Sequence, residues 1–270
     1  LREESDTSKG MNINNLLPLS ADESVTSMIK VPDIESEQYL VMVTRNGIIK
    51  RTELSAFSHA RKNGLIAIDL NEGDELAWVR LTDGNKELIV ATRNGMAIRF
   101  HETDVRVMGR AAKGVKAITL RGDDKVIGMS MLREGAYILT VSETGYGRLS
   151  NVSDYRIQSR GGKGIFTYRI TEKTGKLAGM KTVTDNDDII LITSDGVIIR
   201  MHTDEISSYS RQTQGVRVMR LDDGVSVMSI ARTEREEETD EETENSEKVI
   251  ADDTTETQIA DESKTEGDVE

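Results

Sequence analysis

Residues 39–51 read YLVMVTRNGIIKR, and the echoes of this stretch decide the fold: residues 87–99 read ELIVATRNGMAIR, 136–149 AYILTVSETGYGRL and 188–200 DIILITSDGVIIR. Each copy is an apolar run, a hydroxyl residue, a glycine-containing turn and a second short run. β-Branched residues around Asn-Gly or Asp-Gly are a strong hairpin signal, and a type I′ turn would place positive φ at both central positions. Each copy therefore predicts a hairpin. The turn glycines Gly47, Gly95, Gly145 and Gly196 stand 48, 50 and 51 residues apart. Thr44, Thr92, Ser142 or Thr193 lies three residues before each, and Phe57, Val105, Tyr155 or Ile206 ten after.

A second motif alternates with the first: SKG before Met11, KNG before Leu65, AKG before Val115, GKG before Ile165 and TQG before Val216. Its glycines, Gly10, Gly64, Gly114, Gly164 and Gly215, are spaced 54, 50, 50 and 51. In the last four copies the first, fourth and sixth residues after the glycine are apolar, as in Val115, Ile118 and Leu120. A short acidic turn then leads to another apolar stretch, such as 76–81 or 126–132. Two strands from each half give about four per period, the size of a propeller blade. One blade buries too little surface to stand alone, so neighbours must stack. The expected fold is all-β, a propeller-like array of about five four-stranded blades over residues 1–233. The first is incomplete, a half-unit at 7–33 without its hairpin. With Leu rather than Met at position 1, this half-unit predicts missing upstream sequence.

Composition divides the chain a second way. Residues 234–270 carry 17 Asp or Glu against Arg235, Lys248 and Lys264, a net charge of −14, whereas the remainder has 32 basic and 31 acidic residues. The overall net charge of −13 is thus a property of the tail. Lacking aromatics and nearly all apolar residues, the tail cannot offset its ordering entropy, and disorder is expected. The chain has no cysteine, which excludes disulfides and thiolate metal sites and fits a reducing cytoplasm. No apolar run approaches membrane-spanning length and no signal-peptide pattern opens the chain, so no membrane partner is expected.

Basic residues cluster in the glycine loops. Arg61 and Lys62 precede Gly64, Arg110 and Lys113 precede Gly114, Arg160 and Lys163 flank Gly161 and Gly162, and Arg211 precedes Gly215. The hairpin arms add Lys50, Arg51, Arg99, Arg148 and Arg200. If the units are related by rotation, these charges recur at one height around a rim, beside glycine backbone that lets phosphates approach closely. With only Trp78 and three Phe for stacking, duplex DNA is a better ligand than single strands. A duplex following such a rim must bend, at a cost on the order of 1–6 kcal/mol for 20–30 base pairs, which distributed phosphate contacts would offset. His59, His101 and His202 are dispersed, no GxxxxGK[ST] loop is present, and none of the six tyrosines stands in a recognisable catalytic motif. No metal, cofactor or catalysis is expected of this chain.

The loop of Gln158, Ser159, Arg160, Gly161, Gly162, Lys163 and Gly164 (QSRGGKG) resembles the gyrase A box, QRRGGKG, departing at Ser159. Residues 143–149 (ETGYGRL), 112–118 (AKGVKAI) and 13–19 (INNLLPL) are also similar to segments of DNA gyrase A C-terminal domains, so the resemblance covers 1–233. It implies a β-pinwheel, a propeller-shaped array with strands exchanged between adjacent blades and duplex DNA wrapped on its basic rim. It further implies a domain that is monomeric in isolation and belongs to a nucleoid-associated cytoplasmic heterotetramer of gyrase A and gyrase B. There ATP and Mg support strand passage, the catalytic tyrosine lies elsewhere, and wrapping biases passage toward negative supercoiling. Two departures stand out. The family's box lies in the first blade, so this later copy points to a primary box upstream. Leu149 stands where the other hairpins have Arg51, Arg99 and Arg200, which would interrupt the rim. Two other readings stay open: the C-terminal domain of the topoisomerase IV counterpart of gyrase A, and a protein-binding propeller with no affinity for DNA. The tail is either a solvated extension or a competitor of DNA for the rim.

Overall fold

Four hairpins form where the repeat places them, and every one closes in the same way. In the computed structural model, which describes residues 17, 19–20, 23–60 and 63–235, they are β1 (Tyr39–Thr44) with β2 (Ile48–Glu53), β4 (Glu87–Thr92) with β5 (Met96–His101), β8 (Tyr137–Ser142) with β9 (Tyr146–Asn151), and β12 (Asp187–Thr193) with β13 (Ile198–His202). The turn is not type I′. Among the described residues only glycines have positive φ, and each turn glycine donates its N–H to the carbonyl three residues back, as Gly47 does to Thr44 at 3.1 Å. This is a type I turn ending in a left-handed glycine, the three-residue hairpin loop. The recurring hydroxyl now has a reason: Thr44, Thr92, Ser142 and Thr193 each accept the N–H four residues on, at 3.0–3.2 Å, and so satisfy a donor the turn would leave open.

The remaining strands complete the blades by exchange. β3 (Leu76–Thr82), β7 (Val126–Met131), β11 (Leu177–Val183) and β15 (Val227–Glu234) pair with β1, β4, β8 and β12. The two-residue strands β6 (Val115–Lys116), β10 (Ile165–Phe166) and β14 (Val216–Arg217) come from the glycine motif of the next unit and pair back onto β2, β5 and β9. Three sheets are therefore four-stranded, in orders such as β3-β1-β2-β6, and the last, β13-β12-β15, has three strands among the described residues. The half-unit forms no strand among the described residues, and its glycine motif lies outside them, as does the predicted acidic tail apart from residues 234–235.

Exchange explains the motif glycine. Gly114 has φ +94, and a Cβ there would lie 2.6 Å from the Ile49 carbonyl oxygen; Gly164 and Gly215 press likewise on the Ala97 and Gly147 carbonyls. The chain then arches over the hairpin turn, where Ala117, Thr167 and Val218 donate to the carbonyls of Gly47, Gly95 and Gly145 at 2.8–2.9 Å. Gly64 also has positive φ, but nothing lies within 4 Å of its Cβ position. Gly215→Ala is therefore expected to lower stability by about 2 kcal/mol or more, and Gly64→Ala by about 1, the cost of left-handed backbone alone, as read from urea midpoints.

Each interface between units is stitched at two further heights. Near the hub, the inner strand of one blade reaches the preceding turn, with Val126, Leu177 and Val227 donating to the carbonyls of Arg45, Arg93 and Glu143 at 2.9–3.0 Å. Further out, Met108, Gln158 and Tyr209 donate to the carbonyls of Arg51, Arg99 and Leu149 at 2.8–2.9 Å. Apolar clusters fill the spaces between sheets: Val41, Leu88, Ile98, Phe100 and Met129 in one, Leu139, Leu149, Ile189 and Ile206 in another. Contacts divide the chain into a body, Leu1–Thr233, and a segment, Glu234–Glu270. No helix among the described residues is long and apolar enough to cross a membrane.

Candidate nucleic-acid interface

The basic residues of the repeat fall into two groups that the sequence does not separate. On the hairpin arms Lys50, Arg51 and Arg148 are buried as structural staples, Arg99 is half-buried and Arg200 is exposed. Lys50 and Arg148, each three residues after a turn glycine, are fully buried. Lys50 Nζ donates to the Ala67 carbonyl at 2.5 Å and to the Arg110 carbonyl. Arg148 donates to Thr140 Oγ1 at 3.1 Å, Ser150 Oγ at 2.6 Å and the carbonyls of Thr167 and Arg211, with its guanidinium 5.5 Å from the Tyr168 ring. In each case one cation ties together the glycine motifs of two successive units. The other two hairpins carry Ile98 and Ile199 at this position. Beside Ile98 the loop carbonyls find another partner: Thr119 donates its N–H to Gly162 at 2.8 Å and its hydroxyl to Gly161 at 2.7 Å.

Arg51, Arg99 and Arg200 sit one residue further on. Arg99 pairs with Glu87, Nε to Oε2 at 2.6 Å, and donates to the carbonyls of Val152 and Tyr155 in the next unit at 3.0 and 2.9 Å. Arg51 is nearly buried, 3.9 Å from Glu102 and over the Tyr39 ring at 4.9 Å. Arg200 meets the buried Asp188 at 2.8 Å, where His202 also binds at 2.6 Å. Burial opposes ionisation of Asp188, but these two partners hold its pKa below the ordinary carboxylate value. Leu149 joins the apolar core at this position, so no rim charge is interrupted there.

Burial lowers the Lys50 pKa to about 8, with the Arg110 charge adding to the effect. An unfolded lysine titrates near ~10.4, so between these values the unfolded chain binds the extra proton. Stability should then rise with pH from about 8 to ~10.4 through this group, and Lys50→Met should flatten that rise in urea unfolding.

The glycine loops do face outward. Lys113 and Lys163 occupy equivalent exposed positions immediately before the motif glycine, and Arg110, Arg160 and Arg211 are equivalent and half-buried. Arg160 and Arg211 both reach back to the preceding motif: Arg160 donates to the Lys116 carbonyl at 3.1 Å and to the Asp104 carbonyl at 2.9 Å, and Arg211 donates to the Phe166 carbonyl. In the box-like loop Gln158 N–H binds the Arg99 carbonyl, Ser159 is exposed, Gly161 N–H binds the Ala117 carbonyl and Gly164 takes the docking position already described. This loop is thus built first to hold the exchange in place. Arg61 and Lys62 lie outside the described residues. Sequence reasoning missed Arg106 and Arg156, which are exposed at equivalent positions beside Val107 and Ile157, and Lys116 and Arg217, exposed on exchanged strands. Their signal was present in the repeat: Arg106 and Arg156 each stand eleven residues after a turn glycine. Among the described residues no group of three His, Asp or Glu is placed to hold a metal ion.

A family model described as the DNA gyrase C-terminal domain, beta-propeller, matches residues 38–83, 86–133, 136–184 and 187–234, one match per sheet. The DNA gyrase A protein of Staphylococcus epidermidis is 45% identical over 234 residues, covering 86% of this chain and 26% of that protein. The chain thus spans about a quarter of the length of the curated relatives it matches. Among solved structures, the C-terminal domain of a DNA topoisomerase IV superposes with a TM-score of 0.80 at 28% identity, covering 89% of this chain and 75% of that one. A DNA gyrase A C-terminal domain gives 0.75 at 28%, covering 83% and 75%. Four family matches in register with four sheets, three of them completed by an exchanged strand, and gyrase A relatives along nearly the whole body, lead to one conclusion: the chain belongs to the DNA gyrase A C-terminal domain family.

Proposed function

We propose that this body bends duplex DNA around its outer loops, so that a gyrase complex introduces negative supercoils. The observation that carries the reading is the recurrence of exposed cations at equivalent positions of successive units: Lys113 and Lys163, Arg106 and Arg156, Lys116 and Arg217. Point charges spaced along a curved edge neutralise phosphates without reading bases, which suits wrapping at any sequence. Arg110, Arg160 and Arg211 add half-exposed charge, and Arg160 and Arg211 also brace the loops. The buried Lys50 and Arg148 act by positioning. The rest of gyrase A, including its catalytic tyrosine, and gyrase B with ATP and Mg would supply strand passage in a heterotetramer at the cytoplasmic nucleoid. The body on its own would be a monomer without catalytic activity.

The higher TM-score of the topoisomerase IV domain is one observation in favour of that enzyme instead. The 45% identity to gyrase A outweighs it, since both structures stand at the same 28%. The test is ligation of nicked plasmid in the presence of the chain, followed by topoisomer analysis. A shift in linking number that grows with protein concentration is expected; an unchanged distribution would remove the wrapping reading.

A further inference from the structure

The inner strands β3, β7, β11 and β15 together line one cavity of about 390 Å³ at the hub, within the ~300–1,000 Å³ of small-molecule sites. Its wall holds Arg80, Arg133, Lys181 and Arg232. Arg80 and Lys181 occupy the same rung of their inner strands, opposite Val41 and Leu139 on the neighbouring β1 and β8, and Ser130 takes this rung in between, opposite Ile89. Among the described residues one carboxylate serves the four cations. Asp187 is buried and takes Arg133 on one oxygen at 2.8 Å and Arg232 on the other at 2.5 Å. Arg80 donates to the adjacent Val79 carbonyl, and Lys181 has no carboxylate partner among the described residues. Burial, and then mutual repulsion with Arg80 and Arg232, pushes the Lys181 pKa down, while burial and Arg232 do the same to Arg80. Like charges gathered in a half-buried cavity are costly unless a counter-charge joins them.

We propose that this hub cavity is a binding site for a compact diphosphate, held by Arg80, Lys181 and Arg232 and separate from the DNA-facing loops. Two linked phosphates carry roughly three negative charges, which matches the excess of cations over Asp187. Arginine forks suit phosphate oxygens, the ammonium of Lys181 supplies a point charge, and the Ser130 hydroxyl on the same rung adds a donor. The cavity is far too small for a duplex, so DNA contact and anion contact would be independent.

Thermal unfolding of the full chain with pyrophosphate tests this, against sodium chloride of matched ionic strength. At a concentration about 100-fold above its Kd, pyrophosphate should raise the midpoint by on the order of 5 °C over the chloride control. Lys181→Met should unfold at an equal or higher midpoint without ligand, because repulsion is relieved, and lose most of the pyrophosphate shift. Lys181→Arg should keep the shift, and all three proteins should bind DNA alike. Titration with ADP distinguishes sources: an equal shift means that the site accepts a nucleotide's diphosphate, a smaller one that it prefers the free anion. No shift beyond chloride, or an undiminished shift in Lys181→Met, overturns the proposal.

Discussion

Arg148→Ala is expected to lower the unfolding free energy of the body by roughly 3–5 kcal/mol, an effect on the order of 10 °C in midpoint. Three costs add. The carbonyls of Thr167 and Arg211 lose their donor inside the protein, at about 1–3 kcal/mol for each group left unsatisfied. Thr140 and Ser150 lose the same guanidinium, and truncating so large a buried side chain leaves a void that the close-fitting sheets fill only in part. Arg148→Lys keeps a charge but cannot span four acceptors, so it should recover only part of the loss. Because Arg148 is buried, the salt dependence of DNA binding should keep its slope in variants that remain folded. Urea unfolding and a salt titration of DNA affinity on the same samples check both statements.

The opposite pattern is expected at the loops. Exchanging Arg106, Lys113, Arg156 and Lys163 together for glutamine should leave stability within about 0.5 kcal/mol, since all four are exposed and the ion pair that Lys113 makes with Asp69 is a loose 3.9 Å contact. DNA affinity near physiological salt should fall on the order of 100-fold. The slope of log K against log salt should shrink by roughly 3 to 4, about 0.9 for each phosphate contact removed. Fluorescence anisotropy with a labelled duplex across a salt series measures both quantities. An unchanged slope would mean that DNA follows another face of the body.

These two experiments separate what was legible in the sequence from what was not. The hairpins, the hydroxyl that closes each turn and the periodic motif glycine could all be read, because each answers to local backbone geometry that repeats every unit. The direction of the arm cations could not. A lysine or arginine on a strand looks solvent-exposed by default, but Lys50 and Arg148 lie where neighbouring units cover the sheet and are fully buried. The repeat held a clue, since Lys50 and Arg148 share their position with Ile98 and Ile199. A position that accepts isoleucine is an interior position, and a cation found there needs carbonyl partners rather than phosphates. The short exchanged strands were legible as apolar positions after each glycine, but their exchange between adjacent blades came only from the resemblance of the box-like loop, because pairing with the previous unit is a property of topology that no spacing encodes.

Exchange at equivalent rungs also bears on how such a chain can change length. Each interior segment seats on the unit before it through the same contacts, so a coding segment of one period can be duplicated or deleted in frame without stranding any interior strand. The new neighbours meet surfaces already matched to them. A duplex path that lengthens or shortens in equal steps is then open to selection by gene rearrangement alone, with no new interface to be invented at each step.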